Sequence, residues 1–120
     1  MSIHSIHHDL YKAAKGLADP GDGGTIRPVQ DLQVCEMVTT GAETRTLLNP
    51  TKPGIYFTLR LLTAGGDAVV TAENGLNVTL NTEATFDAAG EALELISVTK
   101  VANTTYRWEI LNNIGSVGLA

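Results

Sequence analysis

A chain of 120 residues with a net charge of −5 and 43% hydrophobic residues has the size and balance of one globular domain. Its eight Lys and Arg are scattered singly among thirteen carboxylates, which argues against nucleic acid and anionic membrane as partners, since such binders neutralise phosphates with a basic face. One cysteine, Cys35, excludes an internal disulfide framework, and no apolar run approaches the roughly 20 residues of a membrane span. Synthesis in a reducing compartment is expected, and MSIHSIHHDLYKAAKG lacks the basic-then-apolar order of a secretory signal.

All three histidines, His4, His7 and His8, lie in SIHSIHH at residues 2–8. On a helix they would share one face at i, i+3 and i+4, and zinc accepts imidazole nitrogens. No cysteine lies nearby, the one close carboxylate is Asp9, and a chain terminus orders poorly unless tied down. The stretch therefore reads as a solvated or partner-docked arm rather than a metal site. Leu10, Ala13, Ala14 and Leu17 recur at helical spacing and predict a short helix, which Pro20, Gly21, Gly23 and Gly24 end and turn into a flexible joint. Two or three helical turns are marginal alone in water, so the helix docks on its own domain or a neighbour, or stays frayed. His4, His7, His8, Leu10, Tyr11 and Leu17 are accordingly the expected partner-binding residues. The expected organisation is an arm over 1–24 and a β domain over 25–120.

From Thr25 onward the texture is threonine, valine and leucine with regular turns. LQVCEMV (32–38) predicts a strand with Leu32, Val34 and Val38 as its apolar positions. NPTKPG (49–54) is a rigid loop, because two prolines fix φ and withhold ladder donors. IYFTLRLL (55–62) places Ile55, Phe57, Leu59 and Leu61 on one face, opposite Thr58 and Arg60. DAVVTAE, NVTL and EATF are shorter β-type runs. ALELISVTKV (92–101) changes phase after Leu95, which predicts a bulge or a strand covered on both faces. TYRWEIL (105–111) alternates Tyr106, Trp108 and Ile110 against Arg107 and Glu109, and 115–119 could supply a last strand. AGGD, ENG, AAGE, ANT and NNIG supply the turns. Short strands at this spacing predict a mainly β protein, a small antiparallel sandwich or barrel with a short N-terminal helical arm.

Site chemistry is sparse. A nucleophile needs a base, usually histidine, and every histidine lies in the arm; no G-x-S-x-G, P-loop, G-x-G-x-x-G or H-E-x-x-H occurs. Asp87 and Glu91 flank the AAG turn and read as turn chemistry rather than an acid–base pair. Cys35 reads as a buried packing residue, and Trp108 as core rather than a sugar platform. GDGG (21–24) could form an anion nest but reads as a joint. Asn77-Val78-Thr79 and Asn103-Thr104-Thr105 match the glycosylation pattern by chance in a threonine-rich β chain. No enzyme activity and no cofactor are expected.

Four stretches, GAETRTLLNPTKPGIYFTLRLL, GGDAVVT, EATFDAAGEALELISV and YRWEILNNIGSV, together carry a likeness. The chain resembles small tailed-bacteriophage virion proteins, particularly capsid decoration (cement) proteins and related short head-fibre domains. The matching pieces are Thr46–Gly54, Ala84–Val98 and Arg107–Val117, within residues 41–119, and they are packing and turn motifs. The resemblance implies a small β protein made in the host cytoplasm. It would sit as a homotrimer on the outside of the head, bridge major capsid protein subunits and do no chemistry. Removing residues 1–24 would then weaken attachment and leave the β domain folded. The rival readings are a head-fibre or tail module that binds a host surface glycan, a small hydrolase, and a ring-forming tail-tube or connector component.

Overall fold

A computed structural model describes residues 15–101 and 104–120. Ten strands form two five-stranded sheets: β1 (Lys15–Leu17), β2 (Gly24–Ile26), β3 (Gln33–Thr39), β4 (Glu43–Leu47), β5 (Tyr56–Ala64), β6 (Ala68–Ala72), β7 (Glu83–Phe86), β8 (Ala92–Val101), β9 (Thr105–Ile114) and β10 (Gly118–Leu119). One sheet has the order β1-β3-β5-β8-β9, the other β10-β7-β6-β4-β2. No described residue is helical. The protein is mainly β and fits a sandwich, as expected.

The pairing is mixed, which corrects the expectation of an antiparallel fold. β1, β3 and β5 pair in parallel, as do β2, β4 and β6, whereas β8, β9, β7 and β10 add in antiparallel fashion. The first six strands thus alternate between the sheets as three parallel turns of a flat coil: 15–26, 33–47 and 56–72. The reason lies in short connections, one of them the AGGD stretch expected to be a turn, that cross between the sheets. Segments 40–42 and 65–67 each carry the chain from one sheet to the other. A Cβ on Gly65 would lie 2.4 Å from the Thr39 carbonyl oxygen, and one on Gly66 would lie 2.4 Å from Gly41 carbonyl carbon, so only glycine lets the two crossovers nest. Thr39 Oγ1 fastens them, donating to Gly66 O at 2.7 Å and accepting the Gly65 amide at 3.1 Å.

The expected helix is corrected where it can be seen. Residues 15–17 are β1, paired through Gly16 to Val34, and glycine there weakens a helix while tertiary pairing overrides propensity. The rest of that helix lies outside the described residues. The 24/25 boundary falls inside β2, and GDGG is a fixed turn rather than a joint. Gly21 N donates to Asp19 Oδ1, Gly23 N to Thr44 O and Gly24 N to Gly21 O, so these amides are used internally and form no anion nest. Cutting at residue 24 would remove β1 and break β2.

The core lies between the sheets. Phe57, Leu59 and Leu61 of β5, Leu93 and Leu95 of β8, Phe86 and Trp108 are all buried, as the alternation in β5 and β9 predicts. β8 has both expected features, with Ala92 to Leu95 buried on both faces and a register shift after Glu94, where Leu111 is the extra residue of β9. β3 has the opposite phase from the expected one. Gln33, Cys35, Met37 and Thr39 point inward, and Val38 is 45% exposed. NVTL is no strand but part of the loop between β6 and β7.

Candidate functional site

The two ends of the sandwich differ. At one end the crossovers 40–42 and 65–67 and the turn 115–117 have three residues each, while 18–23 and 87–91 complete that end. Strand directions gather the longer connections 27–32, 48–55 and 73–82 at the other end, beside the β8–β9 hairpin. Long connections held by a rigid scaffold are where binding residues concentrate.

Trp108 anchors this end. It is 1% exposed, with its ring 5.9 Å from Phe57. Its Nε1 donates to Leu48 O at 3.0 Å, and its amide donates to Gly75 O at 3.2 Å. Asn74 ties the loops together, its amide donating to Asn49 Oδ1 and its Nδ2 to Tyr106 O. Trp108 is thus a structural residue, as expected, and offers no platform for a sugar.

Residues 73–82 form a stiff projection. Leu76 is buried as its root, and its amide donates to Asn81 O. Asn77 Oδ1 accepts the Asn81 amide at 3.0 Å, Asn77 Nδ2 donates to Asn81 Oδ1 at 2.8 Å, and Thr79 Oγ1 lies within hydrogen-bond reach of both side chains. The β-type run NVTL thus belongs to a hydrogen-bonded set, Asn77, Thr79 and Asn81, alternating with two outward aliphatics. Val78 is 76% and Leu80 44% exposed, and Leu80 has φ +60°. A branched residue held in the left-handed region and facing solvent marks a shaped feature rather than a casual loop. From Gly75 to Thr82 the chain bears no charge.

Gly75 makes the projection possible. It has φ +105°, and a Cβ there would meet Leu80 Cα at 3.2 Å and Leu80 Cδ2 at 3.3 Å. Gly75→Ala is expected to destabilise the protein by about 1–3 kcal/mol through backbone strain, read as a lowered urea midpoint.

Arg27 and Lys52 flank a cleft of about 220 Å³ at the same end, between residues 27–29 and 48–55. Neither cation has a hydrogen-bond or ion-pair partner among the described residues, whereas Arg45, Arg60 and Arg107 are all paired.

At the tight end, Arg45 of β4 is 2% exposed and clamps the chain that follows β1. Its Nε lies 2.6 Å from Asp19 Oδ1, its Nη2 lies 2.9 Å from Asp19 Oδ2, and Nη2 also reaches Glu43 at 3.1 Å and Val38 O at 3.2 Å. Burial pushes the nearby Cys35 thiol up to about 12, with the Asp19 charge acting in the same direction, so it is a packing residue and no nucleophile. Glu91 Oε1 accepts the amides of Asp87 at 2.7 Å and Ala88 at 3.3 Å, which makes it a turn cap.

Of the expected partner-binding residues, His4, His7, His8, Leu10 and Tyr11 lie outside the described residues, as does Asn103. Leu17 ends β1 and packs in part on the core. Among the described residues no group of three or more His, Cys, Asp or Glu could hold a metal, and no helix is long and apolar enough to cross a membrane. No protein-family model matches the chain, and no curated protein matches it.

Proposed function

We propose that the protein is a structural virion component, a decoration protein that binds the outside of a tailed-phage head as a homotrimer and bridges major capsid protein subunits. The observation that carries this reading is the stiff, uncharged projection with Val78 and Leu80 at its surface, which suits insertion into another protein's apolar depression. Two of the pieces behind the phage resemblance meet at its base through Trp108, which bonds to Leu48 and to Gly75. Thr46–Gly54 runs from β4 into the 48–55 loop, Ala84–Val98 covers β7 to β8, and Arg107–Val117 covers β9, whose Trp108 holds the projection. Three weak contacts held by one trimer gain avidity of roughly 10²-fold or more when their spacing matches the shell. Glycan recognition is the weaker alternative, because the single Trp is buried.

The test is reconstitution on heads that lack the protein. Purified chain is expected to saturate the heads and to have the mass of a trimer in solution. Val78→Ser with Leu80→Ser should weaken binding by about tenfold or more, since each truncated aliphatic forfeits on the order of 1.5 kcal/mol of burial. Removing residues 1–14 tests the arm and leaves β1 and Asp19 in place. Failure to bind heads, or glycan-array binding in its place, would overturn the reading.

A further inference from the structure

We propose that the cleft between residues 27–29 and 48–55 is a carboxylate-recognition site, which takes an acidic side chain with aliphatic neighbours from a protein partner. The inference stands on the cleft alone, whether or not that partner is a phage shell. In a chain with thirteen acidic and eight basic residues, two cations share this cleft and no carboxylate lines it. Both residues line the cleft and neither has an ion-pair partner among the described residues, and like charges at a concave surface raise the local potential for an anion.

The walls are fixed before any ligand arrives. The amides of Val29 and Gln30 both donate to Gln33 Oε1, at 2.9 and 3.2 Å. Leu48 N donates to Ile26 O, Gly54 N to Ser97 O and Ile55 N to Ser97 Oγ, while Pro50 and Pro53 restrict the backbone between them. A site pinned this way loses little freedom on binding. Asn49 and Thr51 add polar groups, and buried Ile55 and exposed Val29 supply aliphatic surface. This lining selects a carboxylate on a hydrocarbon stem over a phosphate. Phosphate sites use clusters of free backbone amides, and of the lining residues Val29, Leu48 and Ile55 already donate theirs inside the fold while Pro28 has none.

The experiment is an amide-shift titration of the full chain with the capped peptide acetyl-Leu-Asp-Leu-amide, with its Asn analogue and with inorganic phosphate. Saturable shifts confined to residues 27–29 and 48–55 are expected with the Asp peptide. Arg27→Gln with Lys52→Gln should weaken that binding by about tenfold or more and leave the other resonances in place, because both side chains are exposed. The Asn peptide should bind correspondingly worse. An equal response to the Asn peptide, tighter binding of phosphate, or unchanged affinity in the double variant would each overturn the proposal. So would self-association through the same residues without a peptide response. A failure to bind phage heads would leave this titration unaffected, which separates the two readings.

Discussion

Arg45→Ala is expected to lower the unfolding free energy by about 3–5 kcal/mol, measured by urea denaturation at neutral pH. The guanidinium side chain has no solvent exposure, and its fork meets Asp19 through two parallel hydrogen bonds. Removing it deprives two carboxylates of their cation, Asp19 with 17% and Glu43 with 10% of the side chain exposed, and that uncompensated charge makes up most of the cost. The clamp also spans the sheets, since Asp19 follows β1 and Arg45 sits in β4. A paired change, Arg45→Met with Asp19→Leu, removes the Arg45 and Asp19 charges, leaves Glu43 its bonds from the Thr40 amide and hydroxyl, and should recover much of the loss. Recovery by the pair would show that stranded charge, rather than lost volume, is what destabilises the single variant. Nη1 of Arg45 is buried and has no hydrogen-bond partner among the described residues, so within them the clamp is incompletely satisfied and the paired replacement has that much less to match.

The same clamp sets a pH dependence. Burial alone would raise the Asp19 pKa, but the hydrogen bonds from Arg45 and from the amides of Val38 and Gly21 outweigh it and hold the carboxyl below its ordinary value of 3.8. A group with a lowered folded pKa gives its full stabilisation above the unfolded pKa and loses it as pH falls through the folded value. Wild type should therefore lose stability below about pH 4 more steeply than the paired Met/Leu variant. Parallel acid denaturation curves would count against this assignment.

Trp108→Ala is expected to cost about 3–5 kcal/mol by the same measurement, the range for emptying a large buried aromatic site. Trp108→Phe separates two contributions. It keeps most of the volume beside Phe57 but loses the Nε1 bond to Leu48 O, and the unmet carbonyl should cost about 1–3 kcal/mol. Because Leu48 and Gly75 lie in the two loops that Trp108 holds, the Phe variant should also speed amide exchange in residues 48–55. Equal stability of the Phe variant and wild type would show that the indole bond holds nothing in place.

Much of the framework was legible where side-chain alternation and burial agree. β5, β7 and β9 follow their patterns, and the phase change in ALELISVTKV corresponds to a bulge in the β8–β9 ladder. β3 was misread because its inward polar residues do local work that hydrophobicity does not register. Gln33 caps the amides at 29 and 30, Thr39 fastens two crossovers, and Val38 takes the outer face. Parallel pairing was invisible because AGGD carries the composition of a hairpin turn. Only the fold shows Gly65 and Gly66 pressed against Thr39–Gly41.

The candidate site was legible only in pieces. NPTKPG announced a rigid loop, which forms one wall of the cleft. Arg27 and Lys52 are 25 positions apart and meet through topology alone, so no spacing rule could pair them. Val78 and Leu80 lie in a charge-free run with two asparagines, and the β-type composition of NVTL hides a loop that side-chain hydrogen bonds shape.

The strand borders among the described residues would offer a crowding copy little to template a fibre. At one lateral border β1 and β2 offer three residues each, and at the other β10 offers two. The long β9 is blunted, its amide at 108 and carbonyl at 106 already taken by Gly75 and Asn74, and its ladder broken at Leu111. An incoming strand would gain only a few bonds before running out of partner, and a flat cross-β stack could not nucleate there.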